Sequence, residues 1–143
     1  MEGIGKLFSG FRSAASGLAA ERARVDVIAR NVANAQTTST PEGGPYRRQV
    51  VRFEPILARL ADGRVETRGV RVAGVEDDTS TPFERVFDPT HPDADEQGFV
   101  SMPNVNAAME MADLITAMRA YEANAVIQET FVQMAERALR SAL

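Results

Sequence analysis

Leu7, Phe11, Ala14, Leu18, Glu21, Val25, Ile28 and Val32 are spaced alternately by four and three residues. That is the heptad stripe of an amphipathic helix with a coiled-coil-like seam, interrupted only at Glu21. Alanines at 15, 19, 20, 23, 29 and 33 favour the helix and leave room for a second backbone to come close. Gly10 and Gly17 weaken its first half. The pattern predicts a helix from about Ile4 to about Asn34, ended by the Thr, Ser, Pro and Gly stretch between Gln36 and Pro45. At the other end of the chain Met111, Leu114, Met118, Tyr121, Ala125, Gln128, Val132, Ala135, Leu139 and Ala142 repeat the alternation and predict a second helix. Asn104 or Asn106 is its expected N-cap, and Glu110 and Asp113 place negative charge near the positive end of its dipole.

Between the helices the period changes to two, in Gln49-Val50-Val51-Arg52-Phe53 and again from Gly69 to Glu76. Asp62-Gly63 is a pair favoured in a tight hairpin turn with both central residues at positive φ, so a small β-meander is expected from about Arg47 to Val86. Asp88 to Gly98 is polar, holds two prolines and a glycine, and reads as a loop. The predicted class is α+β: long N- and C-terminal α-helices packed as a coiled-coil-like pair, with a β-hairpin or meander and an extended loop between them. Residues 1–35 with 104–143 form the expected helical part, and 36–103 the β-rich part.

A helix of about 30 residues is roughly 45 Å long, whereas a compact globule of this chain length has a radius of gyration of roughly 14 to 15 Å. Such helices either pair with each other as a projecting hairpin or bury their seams against other chains, and periodicity does not choose. Head-to-tail contacts between like chains would give a helical filament where the rotation does not close.

Composition narrows the classes. With 143 residues, 44% of them apolar, the chain suits one domain of ordinary size. A net charge of −4 with both signs interspersed gives no basic field for nucleic acid or anionic lipid. The absence of cysteine removes disulfides, thiolate catalysis and cysteine-based metal sites. Lys6, Arg12, Ser13 and Ser16 break the apolar run a secretory signal needs, and no stretch is apolar enough to span a bilayer.

Ala15-Ser16-Gly17-Leu18 followed by Asn31-Val32-Ala33-Asn34 resembles the N-terminal signature of bacterial flagellar rod and hook proteins. Several further segments resemble the proximal rod members of that family. They are Gly43-Gly44-Pro45-Tyr46-Arg47-Arg48, His91-Pro92-Asp93-Ala94-Asp95, Gly98-Phe99-Val100, Pro103-Asn104-Val105-Asn106, Glu110 to Ile115 and Arg119 to Asn124. Nearly the whole chain is covered apart from Leu60 to Phe83. Phe99, where tyrosine is usual, and an insertion-like segment near Leu60 to Glu76 depart from the pattern.

The resemblance implies a structural subunit exported by the flagellar type III apparatus without a cleaved signal, which polymerises in the periplasm. It would stack with copies of itself and with other proximal rod proteins, above membrane-ring and export-apparatus components at the rod base. Its helical ends would line the inner tube, its β region would lie outside, and the whole would carry torque from motor to hook. No nucleic acid, membrane insertion, cofactor, metal or catalysis is expected. The expected assembly surface comprises Leu7, Phe11, Leu18, Val25, Ile28, Val32, Asn31 and Asn34 from the first helix. From the second it comprises Met111, Leu114, Met118, Tyr121, Gln128, Val132 and Leu139.

His91 among Asp88, Asp93 and Asp95 offers one nitrogen ligand on a loop, and side chains of these types commonly bond turn backbone. Asp93 to Gly98 begins like a calcium loop, but Asn104 stands where the bidentate carboxylate belongs. Arg47, Arg48 and Arg52 read as solvated or paired with surface carboxylates, with contact to a neighbouring subunit as the alternative. Asn31 and Asn34 suit either a left-handed helix cap donating to nearby carbonyls or hydrogen bonds across subunits. Gln128, polar in an apolar seam, is a candidate for fixing register. A non-polymerising helical adaptor would share the heptads, whereas an enzyme would need a glycine-rich phosphate loop, an activated nucleophile or a metal set that the sequence lacks.

Overall fold

The computed structural model describes residues 2–141, with side chains from Ser9 onward. Its elements run α1 (Glu2–Ala33), β1 (Gln49–Arg59), β2 (Val65–Asp77), β3 (Glu84–Phe87), β4 (Phe99–Met102) and α2 (Ala107–Ser141). The side chain of Leu7 and all of Ala142 lie outside the described residues. The α+β class and both terminal helices are as the periodicity predicts. Asn106 caps α2: its Oδ1 accepts the Met109 N–H at 3.1 Å and its carbonyl accepts the Glu110 N–H at 2.9 Å. Asn34 closes α1 by donating its side-chain amide to the Arg30 carbonyl. It does so without a left-handed conformation, since among the described residues only glycines have positive φ.

The two helices pair antiparallel, through small residues. A Cβ built on Gly10 would lie 2.7 Å from Phe131 Cζ, and one on Gly17 would lie 3.1 Å from the Asn124 amide. Two heptads further along α1, Asn31 Nδ2 donates to Glu110 Oε2 at 3.0 Å. Each heptad toward the end of α1 thus matches a heptad toward the start of α2, and the glycines that weaken α1 let the backbones approach. Ala14, Ala20, Val27, Ile28, Val100 and Ala117 form the buried apolar core.

The β region is not one meander. β1 and β2 form an antiparallel ribbon from Gln49 opposite Asp77 to Arg59 opposite Val65, with irregularities after Arg52 and after Pro55. β3 pairs with β4 in a separate two-stranded sheet, closed by the 88–98 loop. The turn between β1 and β2 also differs from the expected two-residue type. Leu60 pairs with Arg64 around three residues, the Gly63 N–H bonds the Leu60 carbonyl, and only Gly63 has positive φ. That is a type I turn followed by a left-handed glycine, which asks nothing unusual of Asp62.

The ribbon docks on α1, on a face adjacent to the one that meets α2. Ser16 Oγ donates to the Ser13 carbonyl at 2.8 Å and accepts the Val70 N–H at 3.1 Å. Gly69, at φ +139°, leaves no space there: a Cβ would overlap Ser16 Oγ and lie 3.1 Å from Ser16 Cβ. Gly69→Ala is expected to lower stability by about 1 to 3 kcal/mol through backbone strain and loss of the Ser16 to Val70 bond. Urea unfolding of the purified chain measures it, and Gly74→Ala, where no atom lies within 4 Å, serves as the comparison.

Candidate assembly surface and the polar joint that orients it

Where α1 ends, β1 begins and α2 begins, a polar joint is buried. Asn31 is 1% exposed and uses both ends of its amide. Its Oδ1 accepts the Tyr46 hydroxyl and the Gln49 N–H, both at 2.9 Å. Its Nδ2 donates to the Gln49 carbonyl at 2.8 Å and to Glu110. Glu110, also 1% exposed, receives Arg48 Nε at 2.5 Å on its other oxygen. Arg48 reaches Asp78 at 3.6 Å and Asp113 at 3.9 Å. Asn104 accepts the Arg48 N–H at 2.7 Å and donates to the Asp78 and Thr81 carbonyls.

Three groups around this joint have shifted titrations. Partial burial works against the Arg48 cation, but the Glu110 hydrogen bond and the Glu110, Asp78 and Asp113 charges outweigh it and hold its pKa above the usual arginine value. Burial pushes the Tyr46 phenol up, so it serves as a donor to Asn31. The Ser80 and Thr81 hydroxyls hold the Asp78 carboxyl well below the ordinary range, so it stays anionic beside Arg48. A buried carboxylate with this many partners fixes an orientation more than it adds stability, because desolvation offsets much of the attraction.

Sequence reasoning missed this joint. The sequence reading groups Arg48 with Arg47 and Arg52 as solvated or surface-paired arginines. Only Arg52 behaves so, pairing across the ribbon with Glu76 at 3.1 Å where both are well exposed. Arg47 lies over the Phe83 ring at 4.2 Å. Asn31 turns inward, with its hydrogen bonds spent inside the chain. The signal available was Glu110 itself, which extends the stripe of Leu114, Ala117, Tyr121, Asn124, Gln128, Phe131 and Ala135 at three- and four-residue spacing.

That stripe is the face α2 turns to α1, and it divides the predicted α2 seam in two. Leu114, Tyr121, Ala125, Gln128 and Ala135 are half-buried against the rest of the chain, whereas Met111, Met118, Val132 and Leu139 are exposed. The Gln128 side chain makes no hydrogen bond among the described residues. On α1, Ile28 is buried and Phe11, Leu18, Val25, Val32 and Asn34 are half-buried. Met111, Ile115 and Met118 stand on one outer face of α2 at 56%, 55% and 48% exposure, and Met109, Val126, Ile127 and Met134 are exposed as well. Beside Met118 a groove of about 410 Å³ runs between the helices, lined by Arg22, Val25, Asp26, Tyr121 and Glu122. The molecule presents 10079 Å² of surface, against about 7,200 Å² for a compact monomer of its mass.

The 88–98 loop is held by its own side chains. His91 Nδ1 accepts the Asp93 N–H at 3.1 Å, and Thr38 donates to Asp93 at 2.7 Å. Hydrogen bonds from the Thr90 hydroxyl and the Phe99 N–H lower the carboxyl pKa values of Asp88 and Asp95 respectively. Phe99 packs edge-on against Phe87, with Arg85 over its ring, so the position that departs from the usual tyrosine is filled by an aromatic contact.

Comparison with known proteins meets this geometry at both helices. Residues 11–39 match the family model described as flagella basal body rod protein. Residues 96–141 match the C-terminal model of flagellar basal body rod FlgEFG proteins. The flagellar basal-body rod protein FlgC of Borreliella burgdorferi is 43% identical, over 96% of this chain and 95% of its own. FlgC of Yersinia enterocolitica is 42% identical over 84% and 86%, and that of Bacillus subtilis 38% over 92% and 95%. With paired terminal helices, a β region between them and likeness along nearly its full length, the chain belongs to the FlgC family of flagellar basal-body rod proteins and is a structural subunit of that rod.

Proposed function

We propose that this chain is a proximal rod subunit that polymerises through the outer faces of its helix pair and carries torque from motor to hook. The observation that carries this reading is the exposed apolar face of α2, which a folded monomer has no reason to keep in water. Met111, Ile115 and Met118 stay exposed, while Ala117, Asn124 and a glycine-faced Phe131 lie in the intrachain seam. The neighbours are copies of this chain and other proximal rod proteins, with membrane-ring and export-apparatus components at the base.

In this reading residues 1–35 and 104–143 are the axial part and 36–103 the outer part. The ribbon packs on α1 and not along α2, so α2 facing the axis would leave the ribbon toward the outside. Export proceeds through the flagellar type III apparatus without a cleaved signal, and no reaction is catalysed. Deleting the gene is expected to leave cells that do not swim and whose basal bodies lack a rod, with both restored by the intact chain. Normal rods and swimming in the deletion strain would overturn the proposal.

A further inference from the structure

Outside α2, the exposed large apolar side chains among the described residues, Val75 apart, fall into two groups at opposite ends of the β region. Ile56, Leu57 and Val65 stand at the far end of the ribbon at 38%, 60% and 59% exposure. Val86 and Phe87 stand on β3 at 42% and 63%. The β3 and β4 pair adjoins the polar joint through Asp78 and Asn104, where the ribbon starts. The turn at Leu60 to Arg64 lies a whole strand away, roughly 35 Å for β1. A two-stranded ribbon of this kind is marginal in water, and its outer half has little in its own chain to cover it.

The two ends also differ in charge. From Pro55 to Arg68 the ribbon carries Arg59, Arg64 and Arg68 against Asp62 and Glu66. From Glu84 to Gln97 the other end carries Glu84, Asp88, Asp93, Asp95 and Glu96 against Arg85. Arg64 and Arg68 face Asp62 and Glu66 within the ribbon, whereas Arg59 has no carboxylate partner among the described residues. Glu84 and Glu96 likewise have no cationic partner among them. Each end therefore joins an uncovered apolar patch to uncompensated charge, and the charges have opposite sign.

We propose that the ribbon tip docks on the β3 and acidic-loop end of a second copy of this chain. Leu57 and Val65 would pack against Val86 and Phe87, with Arg59 set against Glu84 and Glu96. The contact joins two different surfaces, so it extends an array instead of closing a dimer. It rests on the reading of the chain as a subunit that meets its own copies, and adds the surface outside the helices through which they meet.

The absence of cysteine makes the test clean. Two tagged copies, one Val65→Cys and one Glu96→Cys, are expressed together in a swimming strain, and isolated basal bodies are oxidised with copper phenanthroline. A mixed disulfide dimer joining the two positions is the expected product, and it should be at least tenfold scarcer with Ser80→Cys in place of Glu96→Cys. Rods that form without that product overturn the contact and leave the rod assignment standing. Should either cysteine impair assembly, a charge exchange decides instead. Arg59→Glu is expected to reduce swimming severalfold and Glu96→Arg to restore it, and failure of the restoration overturns the proposal.

Discussion

Ile115→Asp combined with Met118→Asp is expected to abolish rod assembly and swimming while leaving the isolated chain folded. Both side chains are about half exposed on the outer face of α2, so carboxylates there meet water in the free subunit. Surface substitutions of this kind usually change stability by less than about 0.5 kcal/mol. Buried against a neighbour, each carboxylate instead loses its hydration without a partner, a cost of several kcal/mol per ion. The original side chains would also have gained roughly 1.5 to 3 kcal/mol each on full burial. Basal-body isolation and a swimming assay read the effect, with unfolding midpoints confirming that the subunit survives. Rods of normal length would place the interface on another face.

Asn31→Ala is expected to act in the opposite manner, through the fold. Removing its amide leaves the Gln49 N–H and carbonyl, the Tyr46 hydroxyl and one Glu110 oxygen without their partner in a site that is 1% exposed. Each buried group left unsatisfied costs about 1 to 3 kcal/mol, and partial relaxation brings the expected loss to about 3 to 5 kcal/mol. Asn34→Ala, which removes bonds only to Arg30 and Thr37 at a half-buried helix end, should cost about 1 kcal/mol or less. Urea unfolding of the two variants separates a buried joint from an ordinary helix end. Equal losses would mean that the Asn31 network contributes nothing beyond local capping.

The contrast shows which parts of this molecule are legible in its sequence. The helices declare themselves through alternating spacing, Asn106 through its place before α2, and the 88–98 loop through its prolines and aspartates. β4 escapes because Phe99 to Met102 is only four residues between Gly98 and Pro103, too short for a period to register. The true α2 seam escapes because large apolar residues dominate any hydrophobic pattern, whereas this seam is built from Ala117, Asn124 and a glycine-faced Phe131. Its outward neighbours Met111 and Met118 therefore fall into the same spacing pattern as Leu114 and Tyr121. Arg48 and Glu110 meet across 62 positions, a pairing that only the folded chain reveals. Ser16 and Gly17, neighbours in one motif, act separately: the serine holds the ribbon and the glycine admits α2.

The central claim is that the outer face of α2 is buried between subunits in the rod. Its most direct test is the rate at which a maleimide modifies Met118→Cys, compared between the purified chain and intact basal bodies from swimming cells. No other thiol competes within the chain. The account predicts rapid modification of the free chain and at least tenfold protection in the rod, and equal rates in the two would contradict it.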